Sequence, residues 1–232
     1  MTVSLIAEIG CNYADAAIDE AKKMIEAAKT SGARYVKFQL FNEAIIKNSP
    51  MKDRLQDYIL TEENVKELRQ VADATQIGFI LTLMYSEAIN IAAKYADMIK
   101  IRYVDHENEV LIDKAAGTGK ELLISVPCKP INAYSPQIHY LYCNPAYPPE
   151  PEDFNLELAC CCDGFSSHFP HTVFDLAFAI NRTYKDCFIE KHVANVEVTN
   201  HPIDEAVSIT FEELKNFISQ LKLIERIGRI RI

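Results

Sequence analysis

Apolar residues along this chain fall into two alternating patterns, short continuous runs and longer stretches where they recur every three or four positions. The short runs are Ser4–Ile9, Tyr35–Gln39, Gly78–Leu83, Met98–Ile101, Glu121–Val126, Gln137–Cys143, Gly164–Ser166 and Cys187–Lys191. A strand covered on both faces has no solvent side to show, so near-continuous runs of this kind read as buried parallel strands. Between most of them lie amphipathic helices. Asp15–Ser31 places Ala17, Ala21, Met24, Ile25 and Ala28 on one face, Thr61 with Glu62 and Glu63 behind it opens a helix to about Thr75, and Thr210 opens the last, to about Ile227. Eight strands alternating with helices predict an α/β fold, a (β/α)8 TIM barrel forming a single domain over residues 1–232.

The alternation fails on one side. Pro127–Pro136 separates the fifth and sixth runs with three prolines and no helical period, and Asn144–Asp153 is again proline-rich. The helices after strands 5 and 6 are therefore expected to be missing or shortened, the sixth being at most Phe154–Cys162.

Composition narrows the class. A chain of 232 residues that is 49% hydrophobic can bury one sizeable core, and its formal charge of −9 argues against a nucleic-acid surface, which wants a basic stripe. No leader pattern and no run approaching ~20 apolar residues is visible, so a cytoplasmic protein without membrane contact is expected. Seven cysteines is an odd count, and Cys160, Cys161 and Cys162 at the start of an apolar run read as buried free thiols.

Barrel enzymes gather their chemistry where strands emerge. Here Glu8 ends the first strand, Lys37 and Gln39 the second, Thr82 the third, Lys100 the fourth and Ser125 the fifth. Asn144 and Tyr147 follow the sixth, Ser166 and His168 end the seventh, and Glu190 and His192 end the eighth. Lys37 and Lys100 sit among apolar neighbours, and with the hydroxyls of Thr82 and Ser166 they suit an anionic substrate. His168 and His192 form a partial metal site with positions left for water or substrate, which Glu190 and Asp204 can orient or complete. His106, His139, His171 and His201 read as structural.

At these residues the chain resembles the N-acetylneuraminate (sialic acid) synthase family. Ile6-Ala7-Glu8-Ile9-Gly10-Cys11-Asn12, Val36-Lys37-Phe38-Gln39, Ser166-Ser167-His168, Glu190-Lys191-His192 and Pro202-Ile203-Asp204 follow that family's motifs in order and spacing. The resemblance covers the barrel and not the family's small C-terminal antifreeze-like domain. It implies condensation of phosphoenolpyruvate with an N-acetylated amino sugar such as N-acetylmannosamine, giving a nonulosonic acid and phosphate. His168 and His192 would bind a divalent metal, Mn²⁺ or Mg²⁺. Lys37, Thr82, Lys100 and Ser166 would hold phosphoenolpyruvate, Gln39, Tyr147 and Asp204 the sugar, and Glu8 would be an acid/base beside the reacting carbons. Glu190 completes the charged group assigned to the chemistry, and Asn144 stands one position before the family's phosphate-binding asparagine. Arg102-Tyr103-Val104-Asp105 replaces a small glycine-rich phosphate turn. Two other readings stay open: a diverged metal-dependent barrel enzyme acting on another phosphorylated or keto-acid substrate, and a non-catalytic binding barrel. Apolar positions Phe211, Leu214, Phe217, Ile218, Leu221, Leu223 and Ile224 of the last helix fit either packing on the barrel or a homodimer interface.

Overall fold

The computed structural model describes residues 2–131, 135–182, 185–195 and 202–230; His201 lies outside them. Eight strands close a parallel barrel in sequence order: β1 Val3–Glu8, β2 Tyr35–Leu40, β3 Gly78–Leu83, β4 Met98–Ile101, β5 Glu121–Val126, β6 Ile138–Tyr142, β7 Gly164–Ser167 and β8 Cys187–His192. β1 closes the barrel against β8 through the register Val3 to Cys187 up to Glu8 to His192. The outer ring consists of α1 Ile18–Ser31, the short α2 Glu43–Ile46 and α3 Lys52–Gln56, α4 Glu62–Thr75, α5 Ile89–Tyr95, α6 Glu109–Ala116, α7 Leu156–Cys161, α8 Val173–Asn181 and α9 Phe211–Ile230. Among the described residues no helix separates β5 from β6, and α7 has only six residues. The proline-rich stretches thus trim the ring where expected.

Local chemistry sets several boundaries. Thr61 and Asn64 cap α4 reciprocally, Thr61 N donating to Asn64 Oδ1 at 3.0 Å and Asn64 N to Thr61 Oγ1 at 3.2 Å. Thr210 and Glu213 do the same for α9. α1 begins three residues later than the periodicity suggests, because Asp15 and Ala16 take left-handed backbone with φ of 52° and the helix restarts at Ile18. The apolar pattern gave no sign of α2 and α3. They carry Ile45, Ile46 and Leu55 into a small satellite core with Cys11, Phe41, Met84 and Ile203, which walls one side of the barrel mouth.

Strand alternation divides the interior into layers. Outward residues such as Val36, Phe38, Phe79, Leu81, Ile99, Leu122 and Ile189 form the main core beneath the helices. Inward residues Ile6, Ile80, Met98, Leu123 and Leu141 form a separate apolar plug inside the barrel. Two positions further along the strands the inward residues are Glu8, Lys37, Thr82, Lys100, Ser125 and Glu190, all buried. The plug closes the bottom of the barrel, and the polar layer above it is left facing the mouth.

Of the three adjacent cysteines only Cys162 is buried, whereas Cys160 is half-buried and Cys161 exposed. Ala159 is the buried residue of α7, and Cys162 is buried where the chain leaves that helix in extended backbone towards β7. Leu214, Phe217, Ile218, Leu221 and Ile224 of α9 face the core, while Leu223 is exposed. No helix among the described residues is long and apolar enough to cross a membrane.

Gly164 tests the tightness of the trimmed side. A Cβ there would lie 2.6 Å from Phe188 O on the neighbouring strand, a backbone atom that cannot swing away. Gly164→Ala is expected to destabilise the barrel by about 1–3 kcal/mol, as overpacking typically does, and to lower the melting temperature by several degrees. Unchanged melting would show that β7 and β8 are not packed this closely.

Candidate active site

A cavity of about 320 Å³ opens at the C-terminal end of the barrel. Its floor holds four charged side chains from four strands. Lys37 Nζ lies 2.8 Å from Glu8 Oε2 and 3.6 Å from Glu190 Oε1, and Lys100 Nζ lies 2.8 Å from Glu190 Oε2. The hydroxyls and amide around them complete the set: Lys37 donates to Thr82 Oγ1 at 3.0 Å, Ser166 to Glu190 Oε1 at 2.7 Å, and Gln39 Nε2 to Glu8 Oε1 at 2.7 Å. Glu190 is held below the usual carboxylate range, since Lys100 and Lys37 outweigh the cost of burial. Burial lowers Lys100 despite Glu190, while for Lys37 the two glutamates outweigh burial and raise it. Charges this deep persist because they are paired and hydrogen-bonded.

The ends of β7 and β8 carry the imidazoles. His168 and His192 pack edge to face with ring centroids 5.4 Å apart, and the Tyr147 ring lies 4.7 Å from the first and 5.9 Å from the second. Burial, then the neighbouring His192, pulls His168 down to about 3, so it is a neutral nitrogen donor at physiological pH. His192 Nδ1 is buried with no hydrogen bond among the described residues, although Asp204 Oδ2 lies 3.4 Å away. An orphaned buried nitrogen, a neutral imidazole and a nearby carboxylate suit a divalent ion that would take its remaining positions from water or substrate. The described residues offer no ready-made group of three such ligands, so any ion held here would be substantially open.

Loops after β1 and β8 fix these groups. Asn12 Oδ1 accepts from Asp204 N at 2.9 Å, while its Nδ2 donates to Val193 O and Ser208 Oγ at 3.0 Å each, tying the first motif to the last. Gly10 has φ of +50°, and a Cβ there would meet Glu8 Oε1 at 2.8 Å and Gln39 Nε2 at 2.9 Å. Only a residue without a side chain lets this turn close over the Glu8 carboxylate.

All but one of the twelve expected site residues line this cavity; the exception is Asn144. Its amide donates to Asp153 O at 2.9 Å and its Oδ1 accepts from Ala146 N at 2.8 Å, so it braces the proline-rich loop. Alternation through Leu141 makes Cys143 the residue that β6 presents to the cavity, and burial pushes that thiol up to about 11. Counting inward positions from Leu141 would have found it. Lys191 was also passed over. Lying between Glu190 and His192 it must point outward, where it is wholly buried with Asp175. Its ammonium bonds Phe169 O at 2.5 Å, His171 O at 2.9 Å, Asp175 Oδ2 at 3.2 Å and Ser167 Oγ at 3.3 Å, clamping the loop that leaves His168.

With this geometry in hand, similarity to known proteins becomes informative. The NeuB family model matches residues 24–229, and the chain belongs to that family. An uncharacterized protein of Methanocaldococcus jannaschii is 28% identical over 240 residues, spanning 96% of this chain and 71% of that one. The N,N'-diacetyllegionaminic acid synthase of Legionella pneumophila is 25% identical over 263 residues, spanning 98% of this chain and 73% of the relative. Among solved structures, N-acetylneuraminic acid synthetase of Leptospira borgpetersenii superposes with a TM-score of 0.84 at 22% identity, covering 98% of this chain and 85% of that one, a likeness of fold.

The Lys191 clamp gives a stability prediction. Lys191→Met strands Asp175 as a buried carboxylate and removes the donor for two carbonyls, which should cost about 3–5 kcal/mol in denaturant unfolding. Asp175→Asn should cost less, because the ammonium keeps its other three acceptors. Equal stability of Lys191→Met and the unmodified protein would contradict the clamp.

Proposed function

We propose that this NeuB-family barrel condenses phosphoenolpyruvate with the open-chain aldehyde of an N-acetylated amino sugar, of the N-acetylmannosamine class, to give a nonulosonic acid and free phosphate. The observation that carries this reading is the meeting, in one cavity, of a two-imidazole wall backed by Asp204 with a floor containing Lys37 and Lys100. One part suits a polarised carbonyl, the other a carboxylate or phosphate.

In this reading C3 of the enol forms a bond to the aldehyde carbon, whose oxygen takes a proton. Water adds at C2 and loses a proton, and phosphate leaves from the tetrahedral centre, so phosphoenolpyruvate, aldehyde and water become the keto acid and phosphate. A divalent ion, Mn²⁺ or Mg²⁺, held by His168 and His192, would supply Lewis acidity towards the aldehyde oxygen. Glu8, whose carboxylate is paired with Lys37 at 2.8 Å, is the acid/base candidate beside the reacting centre. Thr82 adds a hydroxyl donor beside Lys37, Ser166 braces Glu190, and Gln39, Tyr147 and Asp204 line the space proposed for the sugar. The barrel's contribution is chiefly positioning and charge stabilisation.

Phosphate release from phosphoenolpyruvate tests the reading. Release should require both Mn²⁺ and a member of a panel of N-acetylated hexosamines; metal binding without sugar-dependent release would favour a different substrate. His168→Ala and His192→Ala should each abolish Mn²⁺ binding by calorimetry, and unchanged affinity in both would remove the metal assignment. Lys37→Ala should weaken phosphoenolpyruvate binding by tenfold or more, about 1.4 kcal/mol, with Mn²⁺ affinity retained. The reverse pattern would exchange the two roles.

A further inference from the structure

The outer helices of this barrel show charge to solvent, with one exception. α1 exposes Asp19, Lys23, Glu26 and Lys29, and α4 exposes Glu62, Glu63, Lys66 and Asp73. α8 exposes no charged residue. Its one charged side chain, Asp175, is buried against Lys191, and its outer side presents Val173, Leu176, Ala177 and Ile180 at the spacing of a continuous helical stripe. Val173 is 58% exposed and Ile180 54%. An amphipathic helix normally turns such a stripe inward, yet the inner side of α8 is already filled by Phe178, Ala179 and Asp175.

The apolar surface continues onto both neighbours. α8 packs against α7 on one side and α9 on the other. α7 adds the exposed Leu158, and α9 adds Leu223 and Ile227, one turn apart and both more than half exposed. Large apolar side chains scattered singly over a surface are ordinary, whereas a set gathered on three consecutive helices marks a contact face.

Charge flanks this face with opposite signs. On the α7 side Glu152 and Glu157 are exposed. On α9, Lys222 and Arg226 are exposed and follow Lys215 at seven and eleven residues, so they share the side on which Lys215 lies beside α1, beyond the apolar surface. Glu225 accepts from Val3 N at 2.8 Å at the start of β1, which sets Lys222 and Arg226 towards the N-terminal end of the barrel, the end at which α7 runs into β7. A two-fold axis running along α8 would bring the acidic flank of one copy onto the basic flank of the other, and the reverse on the far side. A two-fold axis across α8 would instead set acid against acid and base against base.

We propose that the face formed by α7, α8 and α9 binds a second copy of this chain in a two-fold homodimer, with the α8 stripes side by side at its centre. Such an interface is self-complementary, with an uncharged apolar middle and a polar rim that selects one of the two possible orientations. The cavity opens at the C-terminal end of the barrel and not on its side, so both mouths stay accessible in the pair. The inference does not depend on which substrate the cavity takes.

Analytical ultracentrifugation of the full chain from about 1 to 100 µM tests it. Reducing conditions are needed, because Cys161 on α7 is exposed. The unmodified protein should pass from monomer to dimer over this range. Ile180→Asp should weaken association at least tenfold without changing the melting temperature of the monomer, and Val173→Asp on the same stripe provides the same test if the first variant melts early. Lys222→Glu combined with Arg226→Glu should also weaken association, and adding Glu157→Lys should restore part of it, a rescue that only α7 meeting the partner's α9 can produce. A chain that stays monomeric throughout overturns the proposal, as does a dimer that both stripe variants leave intact. A monomer that instead co-sediments with vesicles of phosphatidylglycerol and phosphatidylcholine would assign the face to a lipid surface and likewise discard the second copy.

Discussion

Four buried charges, Glu8, Lys37, Lys100 and Glu190, can occupy the barrel interior because each is matched by another. The lysines come from β2 and β4 and the glutamates from β1 and β8, so the neutral group exists only when the barrel is closed. Removing one member leaves an uncompensated ion in a low-dielectric space, which is far costlier than the pairs are stabilising. Everything else about the mouth follows from this arrangement. The apolar plug of Ile6, Ile80, Met98, Leu123 and Leu141 below it excludes water from the base, and the hydroxyls of Thr82 and Ser166 satisfy what the ion pairs leave over.

A neutral floor also shapes how the cavity can treat an anion. The lysines hold their positions through the glutamates and offer a carboxylate local donors rather than net charge. The outer face of the same strands carries the complementary scaffolding. Lys191 and Asp175 on the helix side of β8 hold the loop after His168, and Asn12 holds the loop carrying Asp204. Residues next to one another in sequence thus serve different layers, Glu190 and His192 inside and Lys191 outside.

Much of this was legible from the chain alone. Near-continuous apolar runs identified all eight strands, because a parallel sheet covered on both faces leaves no other pattern. A charged residue embedded in such a run had to face the barrel interior near its mouth or find a buried partner, and that reasoning located Lys37, Lys100, Glu190 and both histidines. What escaped was information that lives in registers and long-range pairing. Asn144 was expected at the site because it follows the sixth run, one position before the family's asparagine, whereas Cys143 is the residue that lines the cavity. α2 and α3 are too short for a periodicity to declare itself, and the partner of Lys191 lies on a helix 16 residues away in sequence. The left-handed turn at Asp15 and Ala16 is unmarked by any glycine, so the start of α1 was set early.

The central claim is that this mouth joins a three-carbon enol to a sugar aldehyde. Phosphoenolpyruvate labelled with carbon-13 at C3 addresses it directly when incubated with the protein, Mn²⁺ and the amino sugar. Nuclear magnetic resonance of the products should then show the labelled carbon as a methylene bonded to the former aldehyde carbon of an acid larger than the sugar by one pyruvate unit. Label found only in phosphoenolpyruvate or pyruvate, with every sugar recovered intact, would contradict the account.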